Sequence, residues 1–232
     1  MPRLTKSRVL EEALTLLDQV GLDALTMRKL AEALGVQAGA IYWHYESKQH
    51  LLGAMAEQML AGCVIPDPLD PTRWSDRLTA QLNAFRRALL THRDGGRVFA
   101  GTFVAAPNTF SLAEVLVATL RAVGLSSRDA VWTAMSLIYF VNGFVVEEQA
   151  ATGIDAKPFF AGIDAARFPE VAAASAHFVD PDHGARFAYG LELLMAGVQR
   201  KIEDASTAAS RAQEAARSLE HPPKPRSKRR RV

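Results

Sequence analysis

Nine positions between 28 and 48 suit contact with a base-bearing polyanion. The guanidinium of Arg28 and the carboxamide of Gln37 can each make two parallel hydrogen bonds to a base edge. Tyr42 and Lys48 can hold phosphate oxygens, which fixes position rather than sequence, and His44 belongs to the same contact set. Trp43 belongs to the same polar aromatic run, Tyr42-Trp43-His44-Tyr45, expected on an outward helix face. Ala38, Gly39 and Ala40 are small enough to let a helix backbone approach base edges closely. Polar groups elsewhere do not assemble into a reaction centre. His177, Asp180, Asp182 and His183 straddle a proline-broken turn without the ligand spacing of a metal site, and fit a solvated helix N-terminus better. His92 and Asp94 fit a turn with a capping aspartate better than an acid–base pair. There is no glycine-rich phosphate loop and no serine nucleophile elbow. The sequence therefore predicts no catalytic residue, no metal ligand, no cofactor and no enzyme activity.

The nine positions need two short helices to hold them. Met27, Leu30, Ala31 and Leu34 recur at helical spacing and predict one apolar face. Gly35 follows, in the left-handed position that commonly ends a helix. Val36, Ala40 and Ile41 then start a second apolar face one turn later. Helices joined this tightly form a helix-turn-helix. Thr5 is the expected N-cap of a preceding helix that ends at Gly21, with Arg3, Lys6 and Arg8 at its start. Ser47 is the expected cap of a following helix carrying Leu51, Leu52, Met55 and Met59.

The proline-rich stretch Pro66 to Thr72 marks the boundary, giving a DNA-binding unit at 1–65 and a second helical unit at 66–206. Helices are predicted over Trp74 to His92, Leu112 to Val123, Ser126 to about Ala150 and Asp182 to about Glu203, with a short one over Pro169 to His177. No strand pattern of useful length occurs, so the fold class is all-α. Residues 207–232 are expected to be disordered and end in a basic tail.

The net charge of +2 hides an asymmetry. Six of the 27 basic residues lie in the last twelve positions, which hold no acid, leaving 21 bases against 25 acids elsewhere. Affinity for DNA must then come from a local patch plus the tail, expected to add a sequence-independent contact. One cysteine, Cys63, excludes an internal disulfide and fits a reducing, cytoplasmic setting, more as packing than as a redox sensor. The longest apolar stretch, Met135 to Val146, contains Asn142 and is too short to span a bilayer.

The runs LTMRKLAEALGV and IYWHYESKQHLL resemble the N-terminal domain of the TetR family of bacterial repressors, and IYWH with its following lysine resembles the tetracycline repressor branch. The strings FRRALLTHRDGGRVFAGT, FVNGFVVEEQ and FAYGLELLMAGVQ extend the resemblance through the regulatory core to about residue 203. It implies a homodimer with a four-helix interface, a palindromic double-stranded DNA operator and release by a small-molecule inducer. It places the inducer among Gln81, Phe85, Phe99, Thr102, Phe103, Leu116, Val131, Ala134, Met135, Ile138 and Tyr139, with Glu147 from the partner chain. The branch has a magnesium-binding histidine where this chain has Phe99, an arginine at Phe103, and further histidines near Val64 and at Tyr139. A phenyl ring cannot ligate magnesium, so the expected inducer is metal-free and aromatic or polycyclic. Two alternatives stay open: aromatic side chains fill the pocket and no inducer binds, or the regulator acts as an activator.

Overall fold

The computed structural model of the chain describes residues 3–66, 68–102 and 105–220. Among them there are twelve α-helices and no strand. The first four form one core: α1 (Lys6–Val20), α2 (Met27–Leu34), α3 (Ala38–Tyr42) and α4 (Lys48–Met59). Their boundaries follow from local chemistry. The hydroxyl of Thr5 accepts from Arg8 N–H, that of Thr26 from Lys29 N–H, and that of Ser47 from His50 N–H. Gly35 ends α2 at φ 66°, and its N–H donates to the carbonyls of Ala31 and Glu32. Val9, Leu17, Leu30, Ile41, Leu51 and Met55 are fully buried where these helices meet.

A 3-10 turn at Pro71–Arg73 leads into the second unit: α5 (Trp74–Leu90), α6 (Gly95–Ala100), α7 (Pro107–Ala122), α8 (Ser127–Ala150), α9 (Lys157–Ala161), α10 (Pro169–Ala173), α11 (Ser175–Phe178) and α12 (His183–Glu220). Helix α8 is the spine, packed by α5, α6, α7 and α12. Its start is a reciprocal cap: Ser126 Oγ accepts from Asp129 N–H (3.1 Å) and donates to Asp129 Oδ2 (2.6 Å).

Several boundaries differ from the sequence expectation, each for a physical reason. Helix α7 begins at Pro107 rather than Leu112, because proline fits the first turn and Glu57 of α4 accepts from the freed N–H groups of Asn108 (2.6 Å) and Thr109 (3.1 Å). The glycine- and proline-punctuated region holds α9 in addition, and a break at Ala174 splits the expected Pro169 to His177 helix into α10 and α11. Helix α12 continues through 207–220, expected to be disordered, because alanine-rich sequence has the highest helix propensity. The apolar stretch judged too short for a bilayer lies in a 24-residue helix with a mean hydropathy window of 1.4, long and apolar enough on composition alone. Four neighbouring helices pack against it, and 28 % of that window is buried within the chain.

Carboxylates at the end of α8 oppose the helix dipole, and one of the two has a partner. Glu148 takes a two-pronged hydrogen bond from Arg86 at 2.6 and 3.0 Å, with both side chains about 15 % accessible. The guanidinium also lies over the rings of Phe187 (4.7 Å) and Phe144 (5.7 Å), tying α5, α8 and α12 together. Glu148→Gln strips a mostly buried cation of its counter-ion and is expected to cost about 3 kcal/mol, read from urea unfolding. A loss below about 1 kcal/mol would place the pair with weak surface ion pairs.

Candidate nucleic-acid interface and effector core

Helix α3 is five residues long and cannot stand alone. Ile41, fully buried, anchors it from within, and Tyr45 just beyond it donates its hydroxyl proton to Lys6 O (3.2 Å). This corrects the expectation that Tyr45 shares an outward face with Tyr42, Trp43 and His44: Tyr45 is buried, and burial pushes its phenol pKa up. Tyr42 and Trp43 do face outward, Trp43 89 % exposed, and His44 is half-buried. Gln37 occupies the N-cap of α3 and is exposed. A side chain added at Gly39 would meet nothing within 4 Å, so the surface around Ala38, Gly39 and Ala40 is unobstructed there. Arg28 is exposed and pairs with Glu32 one turn along α2 at 3.2 Å, a weak contact that a phosphate or base can replace. Lys48 is half-buried, and its Nζ donates to Leu22 O (3.3 Å).

Leu22 belongs to a seam between the two units. Its N–H donates to Asp94 Oδ2 (2.8 Å). Asp94 sits at φ 57°, unusual for a side chain other than glycine, and its Oδ1 pairs with Arg97. Arg97 also makes a bidentate pair with Asp23, which holds the exposed Asp23 carboxyl below its usual range. Asp18 accepts from Arg93 N–H and pairs with His92 Nδ1, both at 2.9 Å. His92 and Asp94 therefore join the units, a role wider than the capping turn expected of them. Helix α6 contributes to both cores: Val98 is buried with α1 and α4, and Phe99 packs against both clusters.

The expected inducer residues separate into three environments. Phe85 is fully buried and meets Phe99 edge-to-face at 5.1 Å, and Leu116 and Ala134 are buried in the same core. Gln81 is buried there too, but its amide is engaged: Oε1 accepts from Ile65 N–H (3.0 Å) and Nε2 donates to Cys63 O (3.1 Å). It ties the segment that follows α4 to α5 rather than offering a free anchor. Cys63 lies beneath it, and burial pushes its thiol up to about 11, which suits packing and not redox sensing. Val131, Met135 and Ile138 share one flank of α8, Val131 being 43 % exposed and the other two half-buried. Tyr139 and Glu147 are on the outer face, where they line a groove of about 450 Å³ with His183 and Arg186 of α12. Thr102 is half-buried and donates its hydroxyl proton to Phe99 O (3.1 Å). Phe103 lies outside the described residues. Among the described residues no group of three or more His, Cys, Asp or Glu side chains could hold a metal. Asp180 accepts from Asp182 N–H, and Asp182 from Ala185 N–H, as at an ordinary helix start.

A helix-turn-helix with an open recognition surface, joined through a hydrogen-bonded seam to an all-helical second unit, defines a DNA-binding regulator. Residues 9–55 match the family model "Bacterial regulatory proteins, tetR family", and residues 67–202 match "Tetracyclin repressor-like, C-terminal domain". The chain belongs to the TetR family of ligand-responsive transcriptional regulators, which are not enzymes. It is 39 % identical over 203 residues to the tetracycline repressor protein class A of Escherichia coli, covering 87 % of this chain and 93 % of that one. A possible TetR family regulator from Streptomyces coelicolor A3(2) is 39 % identical and superposes with a TM-score of 0.78 over 84 % of this chain and 99 % of its own. ActR from Streptomyces coelicolor, in complex with actinorhodin, is 28 % identical with a TM-score of 0.77, covering 86 % and 99 %.

The basic tail, residues 221–232, lies outside the described residues. Helix α12 runs antiparallel to α8: His183 and Arg186 lie beside Glu147, and Lys201 beside Asp129. The end of α8 near Glu147 is the one tied to the seam, since Gln149 accepts from Gly96 N–H and donates to His92 O. The contact with DNA expected of the tail falls on residues outside the described ones. Deleting Pro222 to Val232 is expected to flatten the salt slope of DNA binding and leave its sequence preference intact. An unchanged slope would show that the tail is a bystander.

Proposed function

We propose that this chain is a homodimeric repressor that grips a palindromic operator and is released by a metal-free, mainly hydrophobic, aromatic or polycyclic inducer. The observation that carries this reading is the place of Phe99. It touches Phe85 in the regulatory core and packs against both cores, so a ligand pressing on it acts on α6 and, through the seam, on the helix-turn-helix. Aromatic and aliphatic lining with few free polar groups suits a flat hydrophobic molecule. The actinorhodin-bound ActR, alike in fold, supports the same class.

Dimerisation is supported by what α8 and α12 leave uncovered. Trp132 (64 %), Tyr139 (65 %), Tyr189 (67 %) and Leu193 (59 %) are exposed on these two helices. A second copy of the same face would cover them as a four-helix bundle. Gly190 serves α8 within the chain, since a side chain there would meet the Phe140 ring at 2.7 Å, whereas Gly197 has nothing within 4 Å.

On DNA, we assign base edges to Arg28 and Gln37 and phosphates to Tyr42 and Lys48, with Trp43 and His44 beside them. Ala38, Gly39 and Ala40, by resemblance, replace base-reading residues of the tetracycline repressors. The operator is expected to differ from the tetracycline operator at its inner positions, and tight binding to the unaltered tetracycline operator in a gel-shift titration would contradict this. Gln37→Ala should cost roughly 1–3 kcal/mol of discrimination at its base position.

Titrating the repressor–operator complex with metal-free polycyclic aromatics, with and without EDTA, tests the inducer. Release should occur and be indifferent to EDTA. Release by magnesium–tetracycline and not by the metal-free compounds would sink the proposal. Phe99→His alone should not confer a tetracycline response, because Gln81 remains tied to Cys63 and Ile65.

A further inference from the structure

Asn142 stands in the middle of α8, on the flank that turns towards α6. It continues the series Val131, Met135, Ile138 at helical spacing, and Gln149, two turns further along the same flank, bonds Gly96 and His92. The adjacent stripe of α8, with Ala134, Val141 and Val145, is fully closed. The Asn142 flank is half-open: Met135, Ile138 and Val146 all keep partial accessibility.

The Oδ1 atom of Asn142 is sealed from solvent and accepts no hydrogen bond. It is the one buried side-chain N or O atom without a partner among the described residues. An unmet acceptor in a helix interior is costly, and leucine there would remove the cost. The cost has an explanation if the donor arrives with a ligand.

We propose that Asn142 is a ligand-orienting residue of the inducer site, its Oδ1 accepting an O–H or N–H donor on an aromatic inducer. This rests on the inducer reading above and adds a chemical requirement to it. The inducer carries a hydrogen-bond donor at its rim, such as a phenolic hydroxyl, that meets α8 beside Ile138.

The test uses the full-length protein, 2,6-dihydroxyanthraquinone and its dimethyl ether, with binding followed by calorimetry and stability by thermal unfolding. Wild type should bind the dihydroxy compound about tenfold more tightly, the worth of one hydrogen bond. Asn142→Leu should erase that preference, leave the dimethyl ether and operator affinities unchanged, and raise the apo Tm by about 2–4 °C. Asn142→Ala, which cannot overpack, should erase the preference as well. A preference kept in both variants would assign the acceptor to buried water and overturn the proposal. Equal loss of both compounds would reduce Asn142 to a packing role. A Tm lowered by several degrees in Asn142→Leu would reveal a protein donor and also overturn it. Failure of wild type to bind either compound, with operator binding intact, would overturn the aromatic inducer itself and this inference with it.

Discussion

The structure depends on a six-residue helix that belongs to two cores at once. Val98 of α6 is buried among the side chains of α1 and α4, while Phe99, the next residue, packs against both clusters. Close approach makes this arrangement possible. A side chain at Gly96 would meet Val145 and Val146 of α8 at 3.0 Å, and one at Gly95 would run into the Leu89 carbonyl. Asp94 enters α6 in a left-handed conformation costing on the order of 1–3 kcal/mol, held there by Leu22 N–H and Arg97. Close-packed cores are not continuously deformable. A displacement of α6 must then either be resisted or carried into both.

The DNA-reading surface inherits this constraint. Helix α3 is too short to hold itself and takes its place from Ile41, buried in the first core. The same core receives Val98. Lys48 at the start of α4 donates to Leu22 O, and Leu22 N–H donates to Asp94. Two hydrogen bonds through one residue thus connect a proposed phosphate contact to the entrance of α6. Glu57, further along α4, caps α7, so α4 is fastened to the second unit near both ends. The helix-turn-helix is therefore coupled to the regulatory core by several independent contacts.

Much of this is legible in the sequence where the signal is local. Thr5, Ser47 and Ser126 announce helix starts through bonds reaching three residues, and Gly35 announces an end. The apolar periodicity places Leu30, Ile41, Phe85 and Leu116 in cores. What was not legible depends on the phase of one helix against several neighbours. Helix α8 is apolar on most of its circumference, so its pattern does not say that Tyr139 faces outward or that Val131 and Ile138 share a flank. Tyr45 looks like its aromatic neighbours, yet its backbone position turns it inward to Lys6 O. The partners of Gln81 and Asp94 lie 16 and 72 residues away at Ile65 and Leu22, beyond the reach of any spacing rule.

Those distant partners bear on what the regulatory core can recognise. Of the polar side chains expected to face an inducer from within the chain, Gln81 holds the segment that follows α4 and Thr102 donates its proton to Phe99 O. Glu147 and Tyr139 stand on the outer face, within reach of the proposed partner chain but not of Phe85. The interior is left with aromatic edges, aliphatic side chains and one unpaired carboxamide oxygen on Asn142. Such an inventory recognises shape first. It places most of the affinity in apolar burial, which is indifferent to small rotations of a flat ligand. In the proposed reading, a single fixed acceptor is then enough to select one orientation, and orientation decides whether the ligand's bulk presses on Phe99 or merely fills the space beside it.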